Sequence, residues 1–203
     1  MKHDPAGPKP NEVVVLVASD GKGHNGGIPN ILEEASANRK EYCELHGYQF
    51  QFLNITKYNI GSAHAVWAKL PAIVETFNLH PEAKWIWWLD LDAIIMTPEI
   101  EIVSHVLSHA ALNKKMLRNV ELNRPRSGKI GINTLKNPDP NKIDLIISQD
   151  HNGINAGSFM IRRSEFTQML IDMWRDPLYL QQSEWISMEQ DALVNNSDCL
   201  CAR

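Results

Sequence analysis

The run VVVLVAS, from Val13 to Ser19, sets five aliphatic residues in succession. Alternation would leave one face for water, but a continuous run has no polar face. Such a strand must be covered on both sides, as in a parallel sheet flanked by helices. The following residues supply the covers. Residues 28–47, IPNILEEASANRKEYCELHG, read as a helix with Pro29 in its first turn and Gly47 as its stop. Ile31, Leu32, Ala35, Tyr42 and Leu45 fall near one face of it. YQFQFLNI (48–55) alternates as a second strand, and a helix from about Ala65 to Leu79 follows, started or kinked by Pro71. KWIWWLD is the third strand. This order predicts one α/β domain over 11–203, with a central, mostly parallel sheet and helices on both faces, after a disordered segment at 1–10. Ligands of such sheets bind beyond the carboxyl ends of the strands.

The second half is less regular. Pro98 to about His109 reads as helical, and 113–142 is polar and rich in turn residues. A strand near Asp144–Ser148 leads into QDHNGINAGSFMIRR, a Gly/Asn loop followed by a strand. Ser164–Arg175 reads as an amphipathic helix stopped before Pro177, and the last helix begins near Ser187 in SMEQDALVNN.

Charge and cysteine usage exclude several classes. A net charge of −4 argues against a dedicated nucleic-acid or anionic-membrane binder. Cys43, Cys199 and Cys201 have no zinc spacing and build no disulfide framework, so they read as unpaired thiols or at most one bridge. No run reaches the roughly 18–20 apolar residues of a membrane span, and the start MKHDPAGPKPNEV has no signal-peptide core.

Two strand ends carry chemistry. After the first strand, Gly21-Lys-Gly23-His-Asn-Gly26 matches G-x-G-x-x-G. A dinucleotide site also wants an acid ending the second strand, and here that strand ends FLNIT. The loop is therefore a flexible glycine turn or one whose amides approach a ribose or phosphate. The third strand runs into WIWWLDLDAIIM (85–96), where Asp90 and Asp92 interrupt a strongly apolar stretch. In an extended strand, residues two apart point the same way, so two like charges repel unless a cation lies beside them. Hard ions such as Mn²⁺ and Mg²⁺ suit carboxylate ligands and bridge to substrate phosphates. Solvated aspartates at a strand end are the simpler alternative. Trp85, Trp87 and Trp88 read as core.

HAVWAKLPAIVETFNLHPEAKWIWWLDLDAIIM, NGINAGSFMIRR and EQDAL, in this order, resemble glycosyltransferase family 34. These are fungal galactosyl- and α-1,6-mannosyltransferases, with plant xyloglucan xylosyltransferases as relatives. NRKEYCELHGYQFQFLN resembles the family's segment after its first strand, so the likeness spans most of 13–195. It implies a GT-A (nucleotide-diphospho-sugar transferase, Rossmann-like) fold, a nucleotide-sugar donor such as GDP-mannose or UDP-galactose, a glycan acceptor, Mn²⁺ dependence and retention of anomeric configuration. It implies Asp92 as a metal ligand, with Asp90 holding the metal or the ribose. Nucleotide-sugar contacts fall to Ser19, Asp20, Gly21, Lys69, Asp90, Asn155 and Gly157; a solvated helix lysine is the alternative for Lys69, and a tight turn for NGINAG. Glu189 and Gln190 approach the anomeric carbon, with Asp191 nearby, although Ser187 and Gln190 also fit a capping box. His151 has no assigned role.

The family continues to a histidine that completes its metal site, and it starts with a Golgi membrane anchor. Neither has a counterpart here, so the chain reads as a C-terminally short form or fragment. Its expected function is hexosyl transfer in the Golgi. The alternative is a non-catalytic scaffold pairing with related glycosyltransferase subunits.

Overall fold

The computed structural model describes residues 4–22, 28–124, 128–150, 153–181 and 188–194. Its centre is a five-stranded sheet in the order β2-β1-β3-β7-β6, formed by β1 (Val13–Ser19), β2 (Gln49–Asn54), β3 (Trp85–Leu89), β6 (Leu145–Asp150) and β7 (Gly153–Arg162). β1 pairs in parallel with β2 and with β3, through pairs such as Val14–Gln49 and Leu16–Trp88. β7 runs antiparallel to both β3 and β6, so four strands share one direction and one opposes them. A second, two-stranded sheet joins β4 (Glu121–Arg124) to β5 (Gly128–Asn133). It attaches through Gln149, whose side chain accepts from the Asn123 amide and donates to Glu121 O.

The apolar run of β1 does what its composition requires. Val14 and Leu16 face one cover: Leu70, Ile73 and Phe77 of α2 (Lys69–Leu79), Leu170, Ile171 and Trp174 of α4 (Glu165–Trp174), and Leu193 of the helical stretch 189–194. Val13 and Val15 face the other, with Tyr42 and Cys43 of α1 (Ile31–His46) and with Val103 and Leu107. Pro71 sits in the first turn of α2, where its missing N–H costs no helical bond. Gly47 closes α1 with φ +74°, a left-handed conformation that favours glycine, and its N–H bonds back to Cys43 O.

Several expectations change. α1 starts at Ile31 after Asn30, so Pro29 lies outside it, and Leu45 is exposed because the buried stripe runs through Ile31, Ala35, Arg39, Tyr42 and Cys43. The helix expected from Pro98 to His109 begins at Ile102, takes wide π-type turns at Val103–Leu107 and breaks at Ser108. Ser108 then caps α3 (His109–Lys115) by accepting from Ala111 N–H. Residues 4–10, expected to be disordered, pack on the domain: Gly7 and Pro8 are buried, and His109 N–H donates to Pro5 O at 3.1 Å. Most consequential, Asn155 and Gly157 lie in strand β7 rather than in a loop. The pairing there is uneven, because one step on β6 (Ile147 to Ser148) matches four on β7 (Phe159 to Asn155). Ala156, Gly157 and Ser158 therefore leave the β6 ladder, and Gly157 and Ser158 pair instead with Asp90 and Leu89 at the end of β3. α4 forms where the amphipathic helix is expected, with Ser164 capping it by accepting from Thr167 N–H, and α5 (Pro177–Leu180) follows it.

Candidate functional site

β3 ends at Leu89, and residues 90–93 form a turn closed by Ala93 N–H to Asp90 O at 3.0 Å. The strand alternation expected for Asp90 and Asp92 therefore does not apply. The turn itself decides where they go: Leu91 is buried against Val17, Ile31 and Ala35, while Asp92 is thrown outward and exposed. Asp90 lies between. Its N–H bonds to Gly157 O at 2.8 Å, which carries the β3–β7 ladder one residue past the strand. Its Oδ1 accepts from the Trp88 indole at 2.7 Å.

A positive charge waits behind these oxygens. Lys69, at the start of α2, is only 3% exposed, so it is not a solvated helix lysine. Its Nζ donates to Ala156 O at 2.7 Å and to Glu189 Oε1 at 3.0 Å, and lies 3.6 Å from Asp90 Oδ1. The rings of Trp88 and Phe159 enclose it at 5.0 and 5.8 Å, a cation–π setting. A buried ammonium needs such partners, because desolvation otherwise costs several kcal/mol.

Ala156 shows how far the bulge is specified. Its C=O accepts from Lys69 and its N–H donates to Gln190 Oε1 at 2.7 Å, so side chains replace the strand partners that the register shift removes. This is also the use to which Gln190 is put; Ser187, the other half of the expected capping box, lies outside the described residues. Glu189 is held through its backbone as well, its C=O accepting from the Trp174 indole at 2.7 Å. Asp191 is buried beside them. Asn155 donates to Asp150 and accepts from Gly157 N–H, a local clamp on the bulge. Lys69, Asp90, Asn155, Gly157, Glu189 and Gln190 thus meet in one constellation.

Gly157 is required by space. A Cβ there would stand 3.0 Å from Asn155 Oδ1 and 3.1 Å from Asp90 Oδ2. Both neighbours are pinned by hydrogen bonds, so neither gives way without loss. Gly157→Ala is expected to lower stability by about 1–3 kcal/mol, measurable by urea denaturation.

Ser19, Asp20 and Gly21 lie at the carboxyl end of β1, the strand next to β3, so they share a sheet edge with the Asp90 turn. Their bonds are local: Ser19 Oγ accepts from Gly21 N–H and Asp20 Oδ1 from Lys22 N–H, both at 3.0 Å. Gly21 has φ +85°, as such a turn requires. Gly23 and Gly26 lie outside the described residues, as do His151, Cys199 and Cys201. Cys43 is free and buried, and burial pushes its thiol up to about 12, which makes it a packing residue.

The chain matches the galactosyl transferase GMA12/MNN10 family over residues 9–195. It belongs to that family. It is 40% identical to an uncharacterized alpha-1,2-galactosyltransferase of Schizosaccharomyces pombe over 193 residues, covering 92% of this chain and 50% of that protein. It is 32% identical to the probable alpha-1,6-mannosyltransferase MNN10 of Saccharomyces cerevisiae over 195 residues, covering 91% and 48%. The chain thus spans about half the length of these curated relatives. In structure it resembles a glycosyltransferase involved in the glycosylation of the major capsid of PBCV-1, with a TM-score of 0.58 at 13% identity, over 93% of this chain and 77% of that one. The GT-A-like α/β fold of this GMA12/MNN10 family member follows.

Sequence reasoning missed Arg39. It is fully buried on the apolar stripe of α1 and donates to Ala35 O (2.8 Å), Asp90 O (2.7 Å) and Ala93 O (2.6 Å). Burial lowers its pKa below the usual arginine value, while the Asp90 and Asp92 carboxylates oppose that loss. The signal was present: a charge at position 39 stands four residues from Ala35 and three from Tyr42, inside the apolar stripe. Neighbours on the same stripe hold the chain beyond the turn. Asn38 exchanges two bonds with Ile95, Tyr42 donates to Ile100 O, and the His46 ring meets Pro98 O at 2.7 Å.

Proposed function

We propose that this chain transfers a hexose from a nucleotide sugar, GDP-mannose or UDP-galactose, to a glycan acceptor, with Mn²⁺ assistance and retention of configuration. The observation that carries the reading is the turn at 90–93. It holds one carboxylate against a buried lysine and projects the other into solvent, at the edge shared by the ends of β1 and β3. Open α/β sheets bind ligands at such an edge. The galactosyl- and mannosyltransferase relatives support the same chemistry, in the Golgi setting that the family resemblance implies. Among the described residues no helix is long and apolar enough to cross a membrane.

The donor set fits the ion. Asp90 and Asp92 offer hard carboxylate oxygens, and among the described residues no three His, Cys, Asp or Glu side chains gather into a metal cage. Ions of this kind are commonly bound by one or two carboxylates plus substrate phosphates. Asp92 and Asp90 would hold it; when bound, Mn²⁺ stabilises the charge developing on the departing diphosphate. The chain's own residues do the rest. Gly157 lets backbone approach the sugar, Ser19, Asp20 and Gly21 face the nucleotide, and Lys69 holds Asp90 and Glu189 in place. Glu189, Gln190 and Asp191 form the floor under the anomeric carbon, where an oxocarbenium-like charge develops as the acceptor hydroxyl attacks from the front face.

Calorimetry tests this directly. GDP or UDP is expected to bind at least about tenfold more tightly with Mn²⁺ than with EDTA, a difference of about 1.4 kcal/mol. Equal affinity in both buffers would remove the metal from the mechanism. NAD(H) should not compete; competition at micromolar NAD(H) would return the glycine loop to a dinucleotide role.

A further inference from the structure

We infer that Arg39 is a positioning residue: it sets the turn at 90–93 and so determines how Asp90 and Asp92 present themselves to a divalent cation and diphosphate. This deepens the nucleotide-sugar reading and rests on it.

The turn has two carbonyls that a helix side chain can reach, and Arg39 takes both. One terminal nitrogen of the guanidinium donates to Asp90 O at 2.7 Å and to Ala93 O at 2.6 Å, the first and fourth residues of the turn. Asp90 O also accepts the turn-closing bond from Ala93 N–H at 3.0 Å. The other terminal nitrogen is tied to Ala35 O, one helical turn back, which fixes the fork relative to α1. Leu91 packs on the same helix against Ile31 and Ala35. With the ends clamped by Arg39 and the second residue buried, Asp92, the third, is forced outward.

Charge makes the choice of arginine informative. A guanidinium that is fully buried is costly, and its Nε has no hydrogen-bond partner. Apolar packing would serve α1 better than this. The same cation grips the backbone of the turn that carries both aspartates, and its charge interacts favourably with their carboxylates before any metal arrives. Lysine would retain the charge, but its flexible ammonium lacks the planar fork that fits these carbonyls.

The test compares Arg39→Lys, Arg39→Gln and Tyr42→Phe with the unaltered chain. Tyr42→Phe removes a bond from the same helix to the same segment, at Ile100 O, beyond the turn. Three quantities are read for each: GDP or UDP affinity with Mn²⁺ and with EDTA, thermal stability, and hydrogen exchange of the Ala93 amide. Arg39→Lys is expected to lose tenfold or more of the Mn²⁺-dependent affinity, keep its EDTA affinity within twofold, and exchange Ala93 faster. Arg39→Gln should behave the same way. Tyr42→Phe should lose stability with the Mn²⁺ enhancement intact. If Arg39→Lys keeps the enhancement, or if losses in all variants simply follow Tm, Arg39 is structural and the proposal is wrong. If an Arg39 variant does not fold, the other carries the comparison. If both fail, the assignment is overturned, because a residue essential to folding is not a specific positioner. Absence of Mn²⁺ enhancement in the unaltered chain would instead overturn the functional reading on which the inference rests.

Discussion

Lys69→Met is expected to lower the free energy of unfolding by about 3–5 kcal/mol, the usual cost of breaking a buried ion pair from one side. The methionine keeps most of the volume, so cavity formation contributes little. What is lost is the ammonium that satisfies Ala156 O and Glu189 Oε1 and stands 3.6 Å from Asp90. Glu189 is then left as a buried carboxylate without its cation, beside a bulge with an unmatched carbonyl. The informative comparison is Lys69→Met/Glu189→Met. Removing both charges should recover much of the lost stability in urea denaturation, because the penalty lies in the orphaned partner rather than in the pair. A double variant no more stable than the single one would mean that the pair packs better than the apolar replacement.

Asp92→Asn should show the opposite profile. Asp92 is exposed on the turn, so its replacement is expected to change stability by less than about 0.5 kcal/mol. Asparagine keeps the shape and one oxygen but not the charge. If the carboxylate holds a divalent ion at the departing diphosphate, transfer should fall by roughly 10²–10³, equivalent to about 2.7–4 kcal/mol of transition-state stabilisation. The assay uses radiolabelled donor and a mannan acceptor, with Tm measured alongside. Undiminished transfer by Asp92→Asn would exclude this residue as a metal ligand. Donor binding without transfer, even in the unaltered chain, would favour the non-catalytic scaffold among related subunits.

These two residues also mark what local sequence can and cannot tell. β1, β2 and β3 were legible because continuous or alternating apolar runs report burial directly, and α1 and α4 because their stripes and caps are local signals. Lys69 in WAKLP carries no sign of its burial; that depends on Glu189 and Ala156, 120 and 87 residues away. NGINAG reads as a loop because glycine and asparagine favour turns, yet pairing of Gly153, Ile154 and Asn155 with Asp150, Gln149 and Ser148 of β6 overrides that preference. The antiparallel sense of β7 is likewise a tertiary fact. Strand alternation failed at Asp90 and Asp92 because the strand ends at Leu89, before either aspartate.

The polar stripe of α1 has one more consequence. Asn38, Arg39, Tyr42 and His46 run from the middle of α1 to its last residue and together hold residues 90–100 at five points, at Asp90, Ala93, Ile95, Pro98 and Ile100. Helix and acidic turn therefore share one indexing, like a key cut to a single phase. Exposed positions such as Lys40 and Glu44 are free to vary in kind, but the number of residues is not. Inserting one residue after Ala35 would rotate that stripe by about 100° relative to the apolar residues that seat the start of the helix, and every contact with the turn would be lost at once. The helix is thus expected to tolerate substitution at its exposed positions far better than any change in its length.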